Sequence, residues 1–359
     1  MEDRIVKMCA YGVLSLVILV CASFFYLPSL HRYEESVRQQ YIEEAALRDN
    51  IKEMTGLELL VYNNRVSEIR EEEVYFGEQL RIAMPSGTDA SSVQIGSDYR
   101  AKTVSLYISG ADPDYLYQYP MLGNPDNILD LTFENMGEYG VLEISLDSVM
   151  EYTRRDHGEY LYLDFKYPKE VYRHVIVIDP GHGGKAVGAV REDVQEKNVN
   201  LAIAEKLEKI LKEEQGNQVG VYLTRTDDTN PSFEERVALA NEIGADMFIS
   251  IHNNATERKE NRTSGTTVLY PDPETAGYDS KRLAEIFSEE VSSAFDTDNL
   301  GATEGNTIYI LRNAKVPAVL IEVGFLSNQE ELRKLDSEEY QEKAAYGIYE
   351  AFMRAYREN

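Results

Sequence analysis

Four short apolar runs in the second half of the 359-residue chain constrain its fold more than any other feature. They are rich in β-branched residues, are separated by segments with helical periodicity, and cover residues 175–178, 219–223, 247–251 and 318–321. Continuous apolar runs of this length are typical of strands that are buried on both faces. Their alternation with helices predicts an α/β domain over residues 171–359, with a mostly parallel sheet flanked by helices.

Residues 56–170 follow a different period. Apolar side chains occupy alternate positions in segments 104–108, 142–146 and 161–165, and clusters of Gly, Pro, Asn and Asp separate such segments. A period of two predicts half-buried antiparallel strands, and several short strands between turns predict a small all-β sandwich. The one histidine of this region, His157, stands in a charged segment, so we expect no catalytic role for the region.

The amino terminus contains a stretch without charged side chains, residues 8–28. Such a stretch is long enough to cross roughly 30 Å of hydrocarbon as a helix. Residues 1–30 are therefore predicted to form a cytoplasmic tail and a transmembrane anchor, with a cleaved signal peptide as the alternative. Residues 31–55 contain neither Gly nor Pro and predict a helical stalk.

Charge and cysteine content limit the chemistry. The chain has 36 basic and 63 acidic residues, a formal net charge of -27. A surface this negative repels phosphates, which argues against binding to nucleic acid. Cys9 and Cys21 both lie close to the amino terminus, so neither predicted globular domain can contain a disulfide or a thiolate metal site. Metal chemistry in this chain would have to use His, Asp and Glu.

Polar side chains follow each of the four apolar runs. His182 and Arg225 come after the first and second runs, and His252 and Glu322 come after the third and fourth. Because the carboxyl ends of parallel strands meet at one edge of a sheet, we expect these side chains to lie close together.

Glu196 begins a helical segment with an apolar face and lies three residues before Val199, a member of that face. Its carboxylate is therefore expected to point inward, where an unpaired charge would be costly. The helix amino terminus could supply part of the compensation. The alternative is a divalent cation held by His182, Glu196 and His252, because two imidazoles and a carboxylate form the ligand set of a catalytic zinc site.

Six stretches of the second half, in order and spacing, resemble the zinc-dependent N-acetylmuramoyl-L-alanine amidases of the amidase-3 family. They are IDPGHGG (178–184), EKNVNLAIAEKL (196–207), YLTRTDD (222–228), RVALAN (236–241), ADMFISIHNNA (245–255) and VPAVLIEVGFLSN (316–328). The resemblance implies zinc ligands at three positions, His182, Glu196 and His252. It also implies that Glu322 is the catalytic carboxylate. Arg225 and Asn253 are candidates for help in substrate binding, and for Arg225 a structural ion pair is the favoured alternative. The β-rich region resembles AMIN-type domains.

The resemblance implies hydrolysis of the peptidoglycan amide bond between N-acetylmuramic acid and the L-alanine of the stem peptide, by zinc-activated water. Because this polymer lies outside the cytoplasmic membrane, we expect a single-pass membrane protein whose catalytic region faces the wall. A protein activator or a division partner is a further expectation. Two alternatives stay open: a zinc peptidase that acts within the stem peptide, and a degenerate amidase that binds the wall or recruits a partner.

Overall fold

The computed structural model describes residue 38 and residues 51–66, 78–257, 262–272 and 278–358. The charge-free segment 8–28 and most of the predicted stalk lie outside the described residues. Within the described ranges, no helix is both long and apolar enough to cross a membrane; the longest, Glu196–Gln215 and Glu338–Glu358, carry many charged residues. This finding contradicts the predicted single-pass membrane location, and we do not retain that prediction.

Two four-stranded antiparallel sheets make up most of the region between residues 80 and 166, with strand orders β4-β1-β8-β7 and β2-β3-β6-β5. The strands are β1 (Leu80–Ala83), β2 (Gln94–Asp98), β3 (Thr103–Ser109), β4 (Leu122–Gly123), β5 (Ile128–Asn135), β6 (Tyr139–Leu146), β7 (Glu151–His157) and β8 (Tyr160–Lys166). Apolar residues from both sheets share one core, for example Leu80, Leu106 and Leu163. The period of two in the sequence thus corresponds to strands with one buried face.

Residues 56–171 also contain three α-helices among the described residues, and in this respect the region differs from the predicted all-β unit. They are α1 (Gly56–Val66), α2 (Tyr115–Gln118) and α3 (Pro168–Val171). Thr55 and Glu58 form a reciprocal capping pair before α1, with Thr55 N donating to Glu58 Oε2 at 2.8 Å and Glu58 N donating to Thr55 Oγ1 at 3.2 Å. This capping box starts a helix, and Leu60 then packs into the core of the sheets.

A six-stranded sheet forms the centre of the second region, in the order β12-β9-β13-β16-β14-β15. Its strands are β9 (His174–Pro180), β12 (Val219–Leu223), β13 (Met247–Asn254), β14 (Thr266–Tyr270), β15 (Asn299–Glu304) and β16 (Ala318–Phe325), and a short ribbon of β10 (Val190–Arg191) and β11 (Val194–Gln195) precedes the first long helix. All pairings in the sheet are parallel except β14 with β16. The prediction of a mostly parallel sheet is confirmed, with one antiparallel pair within it.

Helices cover both faces of this sheet, as predicted. They are α4 (Glu196–Gln215), α5 (Phe233–Glu242), α6 (Ser280–Phe295), α7 (Tyr309–Asn313), α8 (Gln329–Leu335) and α9 (Glu338–Glu358). The helices α4, α6 and α9 pack with one face of the sheet in one core, and α5 and α7 pack with the other face in a second core. The neighbouring strands β12, β9, β13 and β16 are parallel, so their carboxyl ends lie at the same edge of the sheet. The helix α4 covers one face of these strands and α5 covers the other.

Candidate metal centre

The loop after β9 delivers His182 in an unusual backbone conformation. His182 has a φ of 63°, and Gly183 and Gly184 follow with φ of 139° and 52°. A left-handed conformation is unfavourable for a histidine, so surrounding contacts must hold it. Arg236 does so by donating from Nη2 to the His182 carbonyl at 2.7 Å. A Cβ at Gly183 would lie 2.0 Å from the carbonyl oxygen of Thr229, which explains the glycine there.

A buried ion pair lies beneath this loop. Asp179 accepts a hydrogen bond from Arg236 Nη1 at 2.6 Å, and both side chains are almost completely buried. Its carboxylate also accepts from Thr224 Oγ1 at 2.6 Å and from Ser250 Oγ at 2.7 Å. Burial acts to raise the pKa of Asp179, but Arg236 and the two hydroxyls hold it below its ordinary value. The group therefore stays charged, and it ties β9, β12, β13 and α5 together.

Arg225 is enclosed by backbone rather than directed into a cleft. The residue is 1% exposed. Its guanidinium donates to the carbonyl oxygens of Pro180 at 2.8 Å, Gly181 at 3.0 Å and Lys197 at 2.8 Å. These contacts join the end of β9 to the first turn of α4. The structure thus places Arg225 as a support for the segments that carry His182 and Glu196, not at a substrate-facing surface.

Glu196 is the first residue of α4 and lies between the two histidines. Its Oε1 is 3.1 Å from His182 Nε2 and 3.1 Å from His252 Nδ1, and its Oε2 accepts from Ala189 N at 2.8 Å. Burial acts to raise its pKa, but the hydrogen bonds to both imidazoles hold that pKa well below its ordinary value. A Cβ at Gly188 would lie 2.4 Å from Glu196 Oε2, so only glycine allows this close approach.

His182, Glu196 and His252 offer three ligand atoms that all lie within 4.8 Å of one another. The two imidazole rings are 4.9 Å apart between centroids and inclined at 74°. His252 comes from β13, which pairs with β9 directly before the His182 loop. The sequence therefore predicted correctly which side chains meet. Two imidazoles and one carboxylate fit a catalytic zinc ion with an open coordination position.

Asn253 lies behind this cluster rather than in front of it. Its backbone N donates to Glu196 Oε1 at 3.2 Å, and its Nδ2 donates to Asn200 Oδ1 at 2.8 Å. Asn200 in turn donates to the carbonyl of Gly181 at 3.1 Å. The side chain of Asn253 is 2% exposed. Its position suits orientation of Glu196 better than the predicted contact with substrate.

Glu322 lies on β16, directly across from His252 in the register of β13 with β16. Its Oε2 is buried and has no hydrogen-bond partner among the described residues. Burial, and to a smaller extent the nearby Glu196, raises the pKa of Glu322 to about 7, against the opposing effect of His252. A carboxyl group with such a pKa can accept and release a proton at neutral pH.

These groups lie in a cleft of about 630 Å³ that His182, His252 and Glu322 line together with Phe233 and Tyr309. Phe233, Tyr309 and the Asp179–Arg236 pair were not predicted from the sequence. Ser232, three residues before Glu235, is a capping signal that could have located the start of α5 and hence Phe233. No local signal shows that Asp179 and Arg236 meet.

Comparisons with known proteins identify the family of the second region. A family model described as N-acetylmuramoyl-L-alanine amidase matches residues 176–354. The uncharacterized protein YqiI of Bacillus subtilis is 40% identical over 173 residues, which are 48% of this chain and 80% of YqiI. The germination-specific N-acetylmuramoyl-L-alanine amidase of the same organism is 33% identical over 198 residues, covering 51% of this chain and 80% of that enzyme.

Longer relatives match over the same part of the chain. The N-acetylmuramoyl-L-alanine amidase LytC of Bacillus subtilis is 35% identical, and the match covers 36% of LytC. Among solved structures, an N-acetylmuramoyl-L-alanine amidase from Clostridium difficile is 35% identical over 51% of this chain and 97% of that chain, with a TM-score of 0.48. The family match and the extensively covered relatives lead to one conclusion: the chain belongs to the N-acetylmuramoyl-L-alanine amidase family.

Proposed function

We propose that this chain hydrolyses the amide bond between the lactyl group of N-acetylmuramic acid and the L-alanine of the stem peptide, with a zinc ion held by His182, Glu196 and His252. The observation that carries the proposal is the convergence of these three side chains within 4.8 Å, in a cleft that Glu322 also lines. Membership in the amidase family supports the choice of bond.

The chemistry of the donor set supports zinc as the metal. The side chains of His182 and His252 are 30% and 19% exposed, whereas that of Glu196 is 6% exposed. The imidazoles thus face the cleft from which water and substrate would approach. When bound, zinc would lower the pKa of a coordinated water and polarise the amide carbonyl.

Glu322 is the proposed general base and general acid. Its carboxylate accepts the proton of the attacking water and then donates that proton to the departing amine. No described residue donates to the buried Oε2 of Glu322, so no hydrogen bond within the described residues holds that oxygen in the ionised form. The Asp179–Arg236 pair and Arg225 hold the His182 loop in place, so that the ligands need no rearrangement before reaction.

The domain boundaries belong to the proposal as well. Residues 171–359 form the catalytic unit, and residues 56–170 form an AMIN-like unit that localises it. The Tyr99 hydroxyl, in the turn after β2, donates to the carbonyl of Leu223 and accepts from its N–H, both at 2.9 Å. This contact supports a fixed arrangement of the two units along the edge strand β12. A protein activator or division partner, as expected from the sequence, is also part of the proposal.

Product analysis tests the function directly. The full chain is incubated with zinc and purified peptidoglycan, and the soluble products are identified by mass spectrometry. The proposal predicts free stem peptides that begin with L-alanine and glycans with bare lactyl groups. Shortened peptides that remain attached to muramic acid would instead establish a peptidase. Zinc binding without any product would contradict a catalytic role and favour a wall-binding protein.

A further inference from the structure

Two aromatic rings form an exposed platform on the wall of the cleft. Phe233 is the first residue of α5 and is 61% exposed. Its ring stacks on that of Tyr309, the first residue of α7, with centroids 6.1 Å apart and planes inclined at 25°. Both residues line the same cleft as His182 and Glu322. We call Phe233 and Tyr309 the rim pair.

The rim pair is held in a defined position. Ser232 and Glu235 cap α5 reciprocally, with Ser232 N donating to Glu235 Oε2 at 2.7 Å and Glu235 N donating to Ser232 Oγ at 3.2 Å. The guanidinium of Arg312 lies 6.0 Å from the centroid of the Tyr309 ring. Because the cap fixes the backbone at Phe233, only the rotation of the side chain itself has to be ordered when a ligand binds.

The exposed charges next to the rim pair have both signs. Glu234 is exposed next to Phe233, and Arg312 is exposed next to Tyr309. Arg236 lines the cleft too, but it is buried and paired with Asp179. Because the charges of Glu234 and Arg312 offset each other, the rim pair does not attract a ligand of either sign. An uncharged ligand with an apolar face is therefore favoured.

We propose that the rim pair is a sugar-binding subsite, in which the apolar face of an N-acetyl amino sugar of the glycan strand packs on the exposed ring of Phe233. This inference rests on the proposed function, because that function supplies a substrate with sugars on one side of the cleaved bond and peptide on the other. In the intact polymer the lactyl carboxyl is part of the amide, so these sugars carry no charge and suit a wall on which the exposed charges of Glu234 and Arg312 offset each other.

Glycan binding without hydrolysis gives the first test. The full chain with Glu322→Gln is titrated calorimetrically with oligomers of N-acetylglucosamine, which are N-acetyl amino sugars without a carboxylate. Adding Phe233→Ala is expected to weaken binding about tenfold, the size of one aromatic contact. Phe233→Trp should retain binding. Leu129→Ala is the matched control, because Leu129 is 63% exposed but lies on β5, in the other region. Equal affinities with and without Phe233→Ala would overturn the inference.

Kinetics on two small substrates give the second test. One is an N-acetylmuramoyl peptide, and the other is the same peptide carrying only a lactoyl group. Phe233→Ala should lower kcat/KM about tenfold for the first substrate and leave the second unchanged. Equal losses on both substrates would overturn the sugar assignment and indicate a contact with the peptide.

The two proposals fail in different ways. If the unsubstituted chain cleaves neither substrate but binds glycan through Phe233, the proposed function fails and the sugar subsite stands. If it cleaves both substrates and Phe233→Ala changes neither rate, the function stands and the subsite fails.

Discussion

The two sides of the metal centre are built in different ways. On the side of β9 and α4, Asp179 and Glu196 have hydrogen-bond partners for both carboxylate oxygens. On the side of β16, Glu322 has a buried oxygen without a partner among the described residues. The pKa values differ in the same way as the hydrogen bonds. Those of Asp179 and Glu196 lie below their ordinary values, and that of Glu322 is raised to about 7.

This difference gives the two carboxylates different proposed roles, metal binding for Glu196 and proton transfer for Glu322. Hydrogen bonds keep Glu196 ionised, as its proposed role as a metal ligand requires, whereas the lack of such bonds lets Glu322 change its protonation state near neutral pH. Titratable groups whose environments move their pKa values apart are typical of sites that perform acid–base chemistry.

The largest expected effect comes from removing the paired carboxylate. Glu196→Gln should reduce zinc affinity by more than about 100-fold, the upper end of losses for residues that only support a ligand. Turnover should fall to the background rate. Zinc content after dialysis against a buffered zinc solution measures this, with Glu234→Gln as the control in the same cleft. A stoichiometric zinc content in Glu196→Gln would remove Glu196 from the ligand set.

Breaking the buried ion pair on the same side should destabilise the protein. Arg236→Met leaves the Asp179 carboxylate buried without its cation, which costs roughly 3–5 kcal/mol. Urea unfolding of the zinc-free chain measures the loss, and the double change Asp179→Asn with Arg236→Met should recover part of it. An unaltered unfolding midpoint in Arg236→Met would show that the pair does not support the His182 loop.

On the side of Glu322, replacing the carboxylate should stabilise the protein instead of destabilising it, and the size of this effect should depend on pH. A carboxyl whose pKa rises from 4.5 to about 7 on folding contributes stability that is fully present below pH 4.5 and is lost as pH rises through 7. In zinc-free protein, Glu322→Gln should therefore be more stable than the unsubstituted chain by up to about 3 kcal/mol at pH 8. At pH 4 the difference should vanish. A gap of the same size at both pH values would refute the raised pKa.

The smallest loss of stability is expected at the contact between Tyr99 and the edge strand β12, outside both sides of the candidate metal centre. Tyr99→Phe removes the hydroxyl that bonds the N–H and the carbonyl of Leu223 on the edge strand β12. The loss should be about 1–2 kcal/mol, with faster hydrogen exchange at the Leu223 amide and unchanged zinc binding. A loss of zinc in this variant would mean that the two sides of the metal centre depend on the contact between the regions.

The proximity of His182, Glu196 and His252 could be predicted from the sequence because strong local rules apply to these residues. Parallel strands bring His182 and His252 to one sheet edge, and helical periodicity turns Glu196 inward. The unpaired state of Glu322 is not a local property, since it depends on which donors the neighbouring strands place around Oε2. The pairing of Asp179 with Arg236 likewise depends on how α5 packs against the sheet.

Some errors have equally specific causes. Asn253 follows a strand at the correct edge and was therefore expected near the substrate, but a strand end does not tell whether a polar side chain points into the cleft or back toward the interior. The favoured structural role of Arg225 was expected to involve an ion pair, whereas its guanidinium donates to backbone carbonyl oxygens. The helix α1 was missed because its apolar residues suit alternation as well as helical periodicity. The Thr55–Glu58 capping box is the signal that distinguishes the two.

The most direct test measures zinc content and turnover together in Glu322→Gln, next to Glu196→Gln. The difference between the two sides predicts that Glu322→Gln binds one zinc per chain as tightly as the unsubstituted protein and releases no stem peptide from peptidoglycan, whereas Glu196→Gln loses both properties. Undiminished turnover in Glu322→Gln, or a loss of zinc equal to that in Glu196→Gln, would contradict this division of roles.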